Sequence, residues 1–215
     1  MKQILLSALL LASAQTGFSQ FSAGIQGGAT TSHTDATPDQ SRYFYGANAA
    51  YSFSPYLSLG ANLSAGQLEG GDEGVASMMH YTNNFFQADL NLKFFPVGLF
   101  KKAQQKKYLY YLSKIYASVG VGLMKSQTQI NHLPAQADLF EFMDNYSGTN
   151  MVLPVAFGID IPLSKPFKAK GFYINLFYKA NYLNTDKMDG YQPRLSSNEK
   201  KDTYTNFGAG ISYHF

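Results

Sequence analysis

Three of the four histidines lie in polar stretches that also contain carboxylates. A histidine beside a carboxylate can act as a general acid or base, and both groups are ligands of zinc. The candidates are His33, His80 and His132, with Asp35, Asp72 and Glu73. No pair among them has the spacing of a metal or catalytic motif, and histidines are common in polar loops. We therefore expect no catalytic residue, no metal and no cofactor.

A second group of polar side chains alternates with apolar residues along three segments. Gln87, Asp89, Asn91 and Lys93 alternate with apolar residues between Phe86 and Phe94, and similar segments surround Asp160 and Lys179. Such charges can line a pore or a proton path, but buried opposite charges tend to pair. We therefore predict a plugged, hydrogen-bonded interior and no open channel. The predicted interior cluster is Gln87, Asp89, Asn91, Lys93, Asp160, Asn175, Lys179 and Asn181.

The elements that position these groups are predicted to be strands, because apolar residues recur at every second position. The clearest segment has Ile115, Ala117, Val119, Val121 and Leu123 on one face, over the length a tilted strand needs to cross a bilayer. The alternation recurs in about eight segments, the last of which spans 203–215. An open edge in lipid would leave backbone groups unpaired. The pattern thus predicts an all-β, closed, antiparallel up-and-down transmembrane barrel.

The first residues predict export. Met1 and Lys2 precede a short apolar run from Ile4 to Ala12, which is typical of a secretory signal peptide and too short for a transmembrane helix. Cleavage after Ala14 and cleavage after Gln20 both fit, and the second would leave Phe21 at the start of the first strand. We therefore assign 1–20 to the signal peptide and 21–215 to one barrel domain.

Composition narrows the class of protein further. Aromatic residues make up 15% of the chain and charged residues only 14%, which suits a small barrel. The absence of cysteine excludes both a disulfide framework and a lipid-modified anchor. The net charge of +3 is small, and the lysines form two local clusters, so we expect no nucleic-acid partner.

The connections predict an orientation, since outer-membrane barrels have short periplasmic turns and longer external loops. With both termini in the periplasm, the external loops are 33–41, 67–79, 127–149 and 184–202, and the turns are 54–56, 96–112 and 162–170. The long turn 96–112 contains four lysines and three tyrosines, which favour a short amphipathic piece at the inner rim.

Two external loops have distinctive sequences. The segment 137–145 is predicted to form a short helix whose apolar residues either cap the barrel mouth or bind a partner. This possible interaction surface comprises Leu139, Phe140, Phe142 and Met143. The stretch from Asn184 to Gly190 lacks the ligand spacing of a calcium loop and is predicted to be a turn-rich surface loop.

The export signal, the alternation and the ending Tyr213-His214-Phe215 resemble the small outer-membrane barrels typified by the transmembrane domain of outer-membrane protein A. The resemblance implies that Tyr213 and Phe215 form a signal for the barrel-assembly machinery. The implied partners are outer-membrane lipids, that machinery and other outer-membrane proteins.

The expected function is a structural or interaction role in the bacterial outer membrane, such as membrane integrity, adhesion or service as an accessory subunit. One alternative is a narrow pore or hydrophobic-solute transporter, which conductance would reveal. A second is a lipid-modifying enzyme, which lipid A mass spectrometry would reveal.

Overall fold

Ten strands and two short helices make up the computed structural model, which describes residues 21–34, 36–72, 80–100, 106–132, 140–142, 145–163, 170–193 and 201–215. The predicted signal peptide, 1–20, lies outside these ranges. The strands are β1 (Phe21–His33), β2 (Asp39–Ser54), β3 (Leu57–Gly71), β4 (His80–Phe94), β5 (Ile115–His132), β6 (Phe140–Phe142), β7 (Asn145–Pro162), β8 (Gly171–Leu183), β9 (Tyr191–Pro193) and β10 (Thr203–His214).

Eight of the strands close into a barrel in the order β1-β2-β3-β4-β5-β7-β8-β10, and β10 pairs with β1. All eight pairings are antiparallel, and the closing pair matches Ser22 with His214. The amide of Phe215 donates to the carbonyl of Phe21 at 3.0 Å. Since closure leaves no free edge within the wall, the predicted fold class is confirmed.

An apolar band surrounds the outside of the barrel, as the alternation predicted. On β5 the exposed side chains run from Ile115 through Val119 and Val121 to Leu123. Nine residues at about 3.3 Å each, tilted by about 40°, span roughly 23 Å, close to the band of outer-membrane barrels. Beyond Leu123 the same face carries the exposed Lys125. The strand therefore leaves the lipid near Lys125.

The strands continue past this band on the side of the longer connections. The predicted loops 33–41, 67–79 and 127–149 were drawn too wide, because β2 begins at Asp39, β3 continues to Gly71, and β5 and β7 extend to His132 and Asn145. The backbone hydrogen bonds between strands continue beyond the point where the outer face becomes polar. The barrel wall consequently projects beyond the membrane.

The helix predicted for 137–145 is wrong where the structure describes it. Phe140–Phe142 forms β6, which pairs antiparallel with β9 and forms a separate two-stranded sheet. Two of the longer connections are therefore joined by backbone hydrogen bonds. Leu139 and Met143 lie outside the described residues.

At the opposite end of the barrel, β2 and β3 are joined by Pro55 and Tyr56 alone. The connection from β4 to β5 contains a 3₁₀ helix (Pro96–Leu99) and one α-helix, α1 (Lys107–Leu112). Tyr110 on α1 is buried, while Tyr108 and Leu112 are exposed, so one face of the helix packs against the barrel. Neither helix in the described ranges has the length and apolar character needed to cross a membrane.

Candidate functional site in the barrel interior

The inward side chains form layers along the barrel axis. We call the end with the longer connections the loop end and the end with Phe21 and Phe215 the terminus end, and β4 runs from the first to the second. From Tyr81 at the loop end, its inward positions pass through Phe85 and Asp89 to Lys93. An apolar cluster, a hydrogen-bonded network and a polar chamber follow one another in the interior, and an ion-pair cluster lies in the wall at the loop end.

The loop-end mouth is organised around Glu69 on β3. Its buried carboxylate accepts a hydrogen bond from Arg42 on β2 and contacts His80 Nε2 through Oε1 at 3.0 Å. His80 Nδ1 in turn lies 3.2 Å from Asn131 Nδ2. One carboxylate therefore ties three neighbouring strands together above the membrane band.

The segment between β8 and β9 folds into the barrel. Its Met188 has no exposed surface, and the Met188 carbonyl accepts hydrogen bonds from Thr128 Oγ1 at 2.7 Å and Asn83 Nδ2 at 2.9 Å. The Met188 amide donates to Asp202 Oδ2 at 2.7 Å. The predicted surface loop 184–190 is therefore wrong for its last residues, because Met188, Asp189 and Gly190 are all buried.

An apolar cluster closes the interior beneath Met188. The Phe44 and Phe177 rings meet edge to face with centroids 6.1 Å apart, and Phe85 packs against Tyr204 at 5.5 Å. The members are Phe44, Leu68, Phe85, Met124, Phe177, Leu183, Met188 and Tyr204. A cluster of this kind excludes water from the cross-section it fills.

Asp89 is the centre of a buried hydrogen-bonded network below the apolar cluster. Its Oδ1 accepts from Asn62 Nδ2 at 2.7 Å and from Asn91 Nδ2 at 3.3 Å. Its Oδ2 accepts from Gln87 Nε2 at 2.8 Å and from Lys179 Nζ at 3.5 Å. Opposite charges and amide donors thus satisfy a carboxylate that is 4% exposed.

The network continues across the barrel to β8 and β10. Gln87 Nε2 donates to Asn181 Oδ1 at 3.3 Å, and Asn181 Nδ2 donates to Asn206 Oδ1 at 3.0 Å. The Tyr204 hydroxyl donates to Gln87 Oε1. The chain of amides therefore crosses the full width of the interior.

A polar chamber occupies the terminus end of the interior. Its empty space, including its open side, amounts to about 490 Å³. Lys93, Asp160 and Asn175 line it together with His214 and with the hydroxyls of Ser22, Ser52, Ser58 and Ser212. Asn175 Nδ2 donates to Asp160 Oδ1 at 2.5 Å, and Lys93 Nζ lies 4.5 Å from the centroid of the Tyr116 ring.

A group of aromatic rings surrounds the entrance to this chamber. Lys114 Nζ lies 5.1 Å from the ring centroid of Tyr110 and 5.6 Å from that of Tyr173. Tyr173 stacks on His214 with centroids 3.9 Å apart. Burial lowers the pKa of Lys114, and the nearby charge of Asp160 partly opposes that shift. The entrance is thus lined by aromatic surface and one partly desolvated cation.

All eight residues of the predicted interior cluster point inward. Seven are buried, and Lys93 is partly accessible to the chamber. They do not form one site, however, because the network around Asp89 and the chamber around Asp160 lie at different depths. Tyr213 and Phe215 point outward at the closing strand, with ring centroids 5.0 Å apart.

Two of the candidate histidines contact carboxylates of neighbouring strands. His33 Nδ1 lies 2.6 Å from Asp39 Oδ2, and its Nε2 lies 3.2 Å from Thr205 Oγ1. His80 contacts Glu69. Asp35 and Glu73 lie outside the described residues, as does the side chain of His132. No cluster able to hold a metal ion occurs within the described part of the chain.

The model of the outer membrane protein beta-barrel domain matches residues 4–215. The chain belongs to this family. It is therefore an integral β-barrel protein of the bacterial outer membrane.

The chain is similar to two solved structures, the first of which supports the fold. Neisserial surface protein A is 12% identical, with a TM-score of 0.51, and the match covers 93% of this chain and 99% of that chain. Ail, the attachment invasion locus protein of Yersinia pestis, solved with the heparin analogue sucrose octasulfate, is 10% identical, with a TM-score of 0.49. That match covers 91% of this chain and 99% of the Ail chain. Comparison with curated protein sequences finds no match.

Several buried residues of this barrel were not identified from sequence. Glu69 was placed in a loop, and the alternation of β3 assigns it to the outward face, where it pairs with Thr82, so its burial does not follow from the alternation. Extending the alternation along β10 would have found Tyr204 and Asn206 on the inward face. Met188 follows no such periodic pattern, so its burial could not be predicted.

Proposed function

We propose that this protein is a closed outer-membrane barrel with a structural or interaction role. The barrel wall provides the structural role, and the external connections provide the interactions. The observation that carries the proposal is the filled interior. The apolar cluster and the Asp89 network follow one another along the axis, and Met188 covers them at the loop end. A filled cross-section supports a scaffold and opposes solute passage.

We infer that both termini lie in the periplasm and that the longer connections face outward. The two-residue connection Pro55–Tyr56 lies at the same end as Phe21 and Phe215, which matches the usual asymmetry of outer-membrane barrels. A protease added to intact cells is then expected to cleave the external connections and to leave an epitope inserted at Pro55 uncut. Cleavage of that epitope in intact cells would reverse the orientation.

The external interaction surface is proposed to lie where β6 and β9 join two connections. Phe140 and Phe142 belong to this two-stranded sheet, and aromatic residues in loops often mediate contacts. Leu139 and Met143 are assigned to the same surface by their sequence positions. An accessory subunit would contact its partner here.

Cross-linking in native outer membranes followed by affinity isolation tests this role. The wild type and the control Thr149→Ala, altered at an exposed position of β7, are expected to retain a partner at fixed stoichiometry. Phe140→Ser with Phe142→Ser is expected to lose it. If no partner is recovered, deletion of the protein should sensitise the envelope to detergent. Neither a partner nor an envelope defect would contradict the proposal.

We infer that the barrel has no enzymatic activity. His33 and His80 each contact a carboxylate across neighbouring strands, which is a sufficient structural reason for their presence. Lipid A mass spectra of cells with and without the protein are therefore expected to be identical. A modification that disappears with His33→Ala or His80→Ala would contradict this inference.

A further inference from the structure

The polar chamber at the terminus end contains an uneven distribution of charge. Asp89 and Lys179 form an ion pair on its deeper side, at 3.5 Å. Toward the entrance the described inward charges are Lys93, Lys114 and Asp160, with His214 beside them. Two cations therefore share one carboxylate, and Asn175 already donates to that carboxylate at 2.5 Å.

Lys93 has no ion-pair partner among the described residues. The Tyr116 ring, 4.5 Å from Nζ, provides a cation–π contact only. Such a contact stabilises an ammonium less than a carboxylate would, and all three ammonium protons can still donate. A cation shielded from bulk water favours an anion nearby, because the attraction between opposite charges is stronger there than in water.

The chamber wall supplies further donors. Ser22 and Ser212, on the two strands that close the barrel, line the same chamber as Lys93, and no described residue accepts from either hydroxyl. The hydroxyls of Ser52 and Ser58 lie 2.8 Å apart and contact each other. Hydroxyls adjust their proton to the acceptor, so they suit an oxygen-rich ligand. The space of about 490 Å³, which includes the opening, limits that ligand to a small molecule.

We propose that this chamber binds a small oxyanion, a phosphate or a carboxylate, between Lys93 and the hydroxyls of Ser22 and Ser212. The ion enters past Lys114 from the terminus end, since Met188 and the apolar cluster fill the other end. The site goes beyond the scaffold role and does not depend on it, because a blind chamber binds without conducting.

Calorimetry on the purified mature chain in detergent tests the site, with inorganic phosphate and acetate as separate probes at constant ionic strength. The wild type is expected to bind at least one of the two. Lys93→Met should weaken that binding at least about tenfold, because a charge-assisted hydrogen bond is lost. The control Lys125→Met removes a lysine from the outer face and should bind like the wild type. The tighter probe identifies the ligand class.

Binding of neither probe to the wild type would overturn the proposal, as would equal binding by Lys93→Met. If Lys93→Met does not fold, the amide resonances of the wild type provide the second measurement. Phosphate or acetate should then shift Ser22, Ser58 and Ser212 and leave Glu69 and His80 at the other mouth unchanged. Shifts at the loop-end mouth alone would also overturn it.

Discussion

Asp89 on β4 and Lys179 on β8 form an ion pair across the barrel interior, with Oδ2 and Nζ 3.5 Å apart and both side chains buried. Neither strand is next to the other in the sheet, so the pair spans the lumen. The wall consequently gains a link that the backbone ladder cannot provide.

Removing only one charge of this pair should destabilise the barrel. Lys179→Met is expected to lower the free energy of unfolding by about 3 kcal/mol, because it leaves the buried Asp89 carboxylate without its ion-pair partner. Asp89→Asn combined with Lys179→Met should cost less than the sum of the single changes. Denaturant unfolding of the four proteins in lipid vesicles measures this coupling, and additive losses would contradict it.

Gly208 should not tolerate a side chain. A Cβ there would lie 2.7 Å from Phe177 Cζ and 2.8 Å from Phe44 Cζ, and the two rings already pack against each other. Gly208→Ala is therefore expected to lower the free energy of unfolding by about 1–3 kcal/mol. Gly27→Ala, on the neighbouring strand, meets its closest atom at 3.2 Å and serves as the milder control. Equal losses in the two variants would contradict the packing.

Thr128 should protect Met188 from oxidation. Thr128→Val keeps the shape of the side chain but removes the hydrogen bond to the Met188 carbonyl. We expect peroxide to oxidise Met188 several times faster in this variant, as measured by peptide mass spectrometry. Thr82→Val, which loses only a hydrogen bond from Asn131 on the barrel surface, is the control. A rate equal to that of the wild type would show that Thr128 does not hold the segment.

The two mouth carboxylates should contribute unequally to stability. Glu69→Gln removes a charge that is 7% exposed and serves both Arg42 and His80, so a loss of about 2 kcal/mol or more is expected. Asp39→Asn affects the pair with His33, in which both groups are about 40% exposed, and should cost less than about 1 kcal/mol. The same unfolding assay compares them, and a larger loss for Asp39→Asn would refute this ranking.

The fold could be predicted from sequence because each strand shows the alternation of apolar and polar residues within its own segment. The alternation from Ile115 to Leu123 reports one lipid-facing side, and the inward parity of Asp89 or Lys179 follows from it without any knowledge of the partner strand. The number of strands and the need for closure then determine the topology.

The interior partners and the strand ends could not be predicted in the same way. The helix assigned to 137–145 was wrong because the pairing of Phe140–Phe142 depends on Tyr191–Pro193, far away in the chain. The burial of Met188 could not be predicted either, because it depends on hydrogen bonds from Asn83 and Thr128, which are also distant in the chain. Contacts between distant segments leave no periodic trace in the sequence.

Planar-bilayer recording from the purified wild type tests the closed interior most directly. The barrel is inserted into a bilayer whose competence is then checked with a known pore-forming protein. We predict no steady conductance from this protein at any holding potential that the bilayer tolerates. Steady, large unitary steps from the wild type would contradict the account, because they require an open path through the apolar cluster and the Asp89 network.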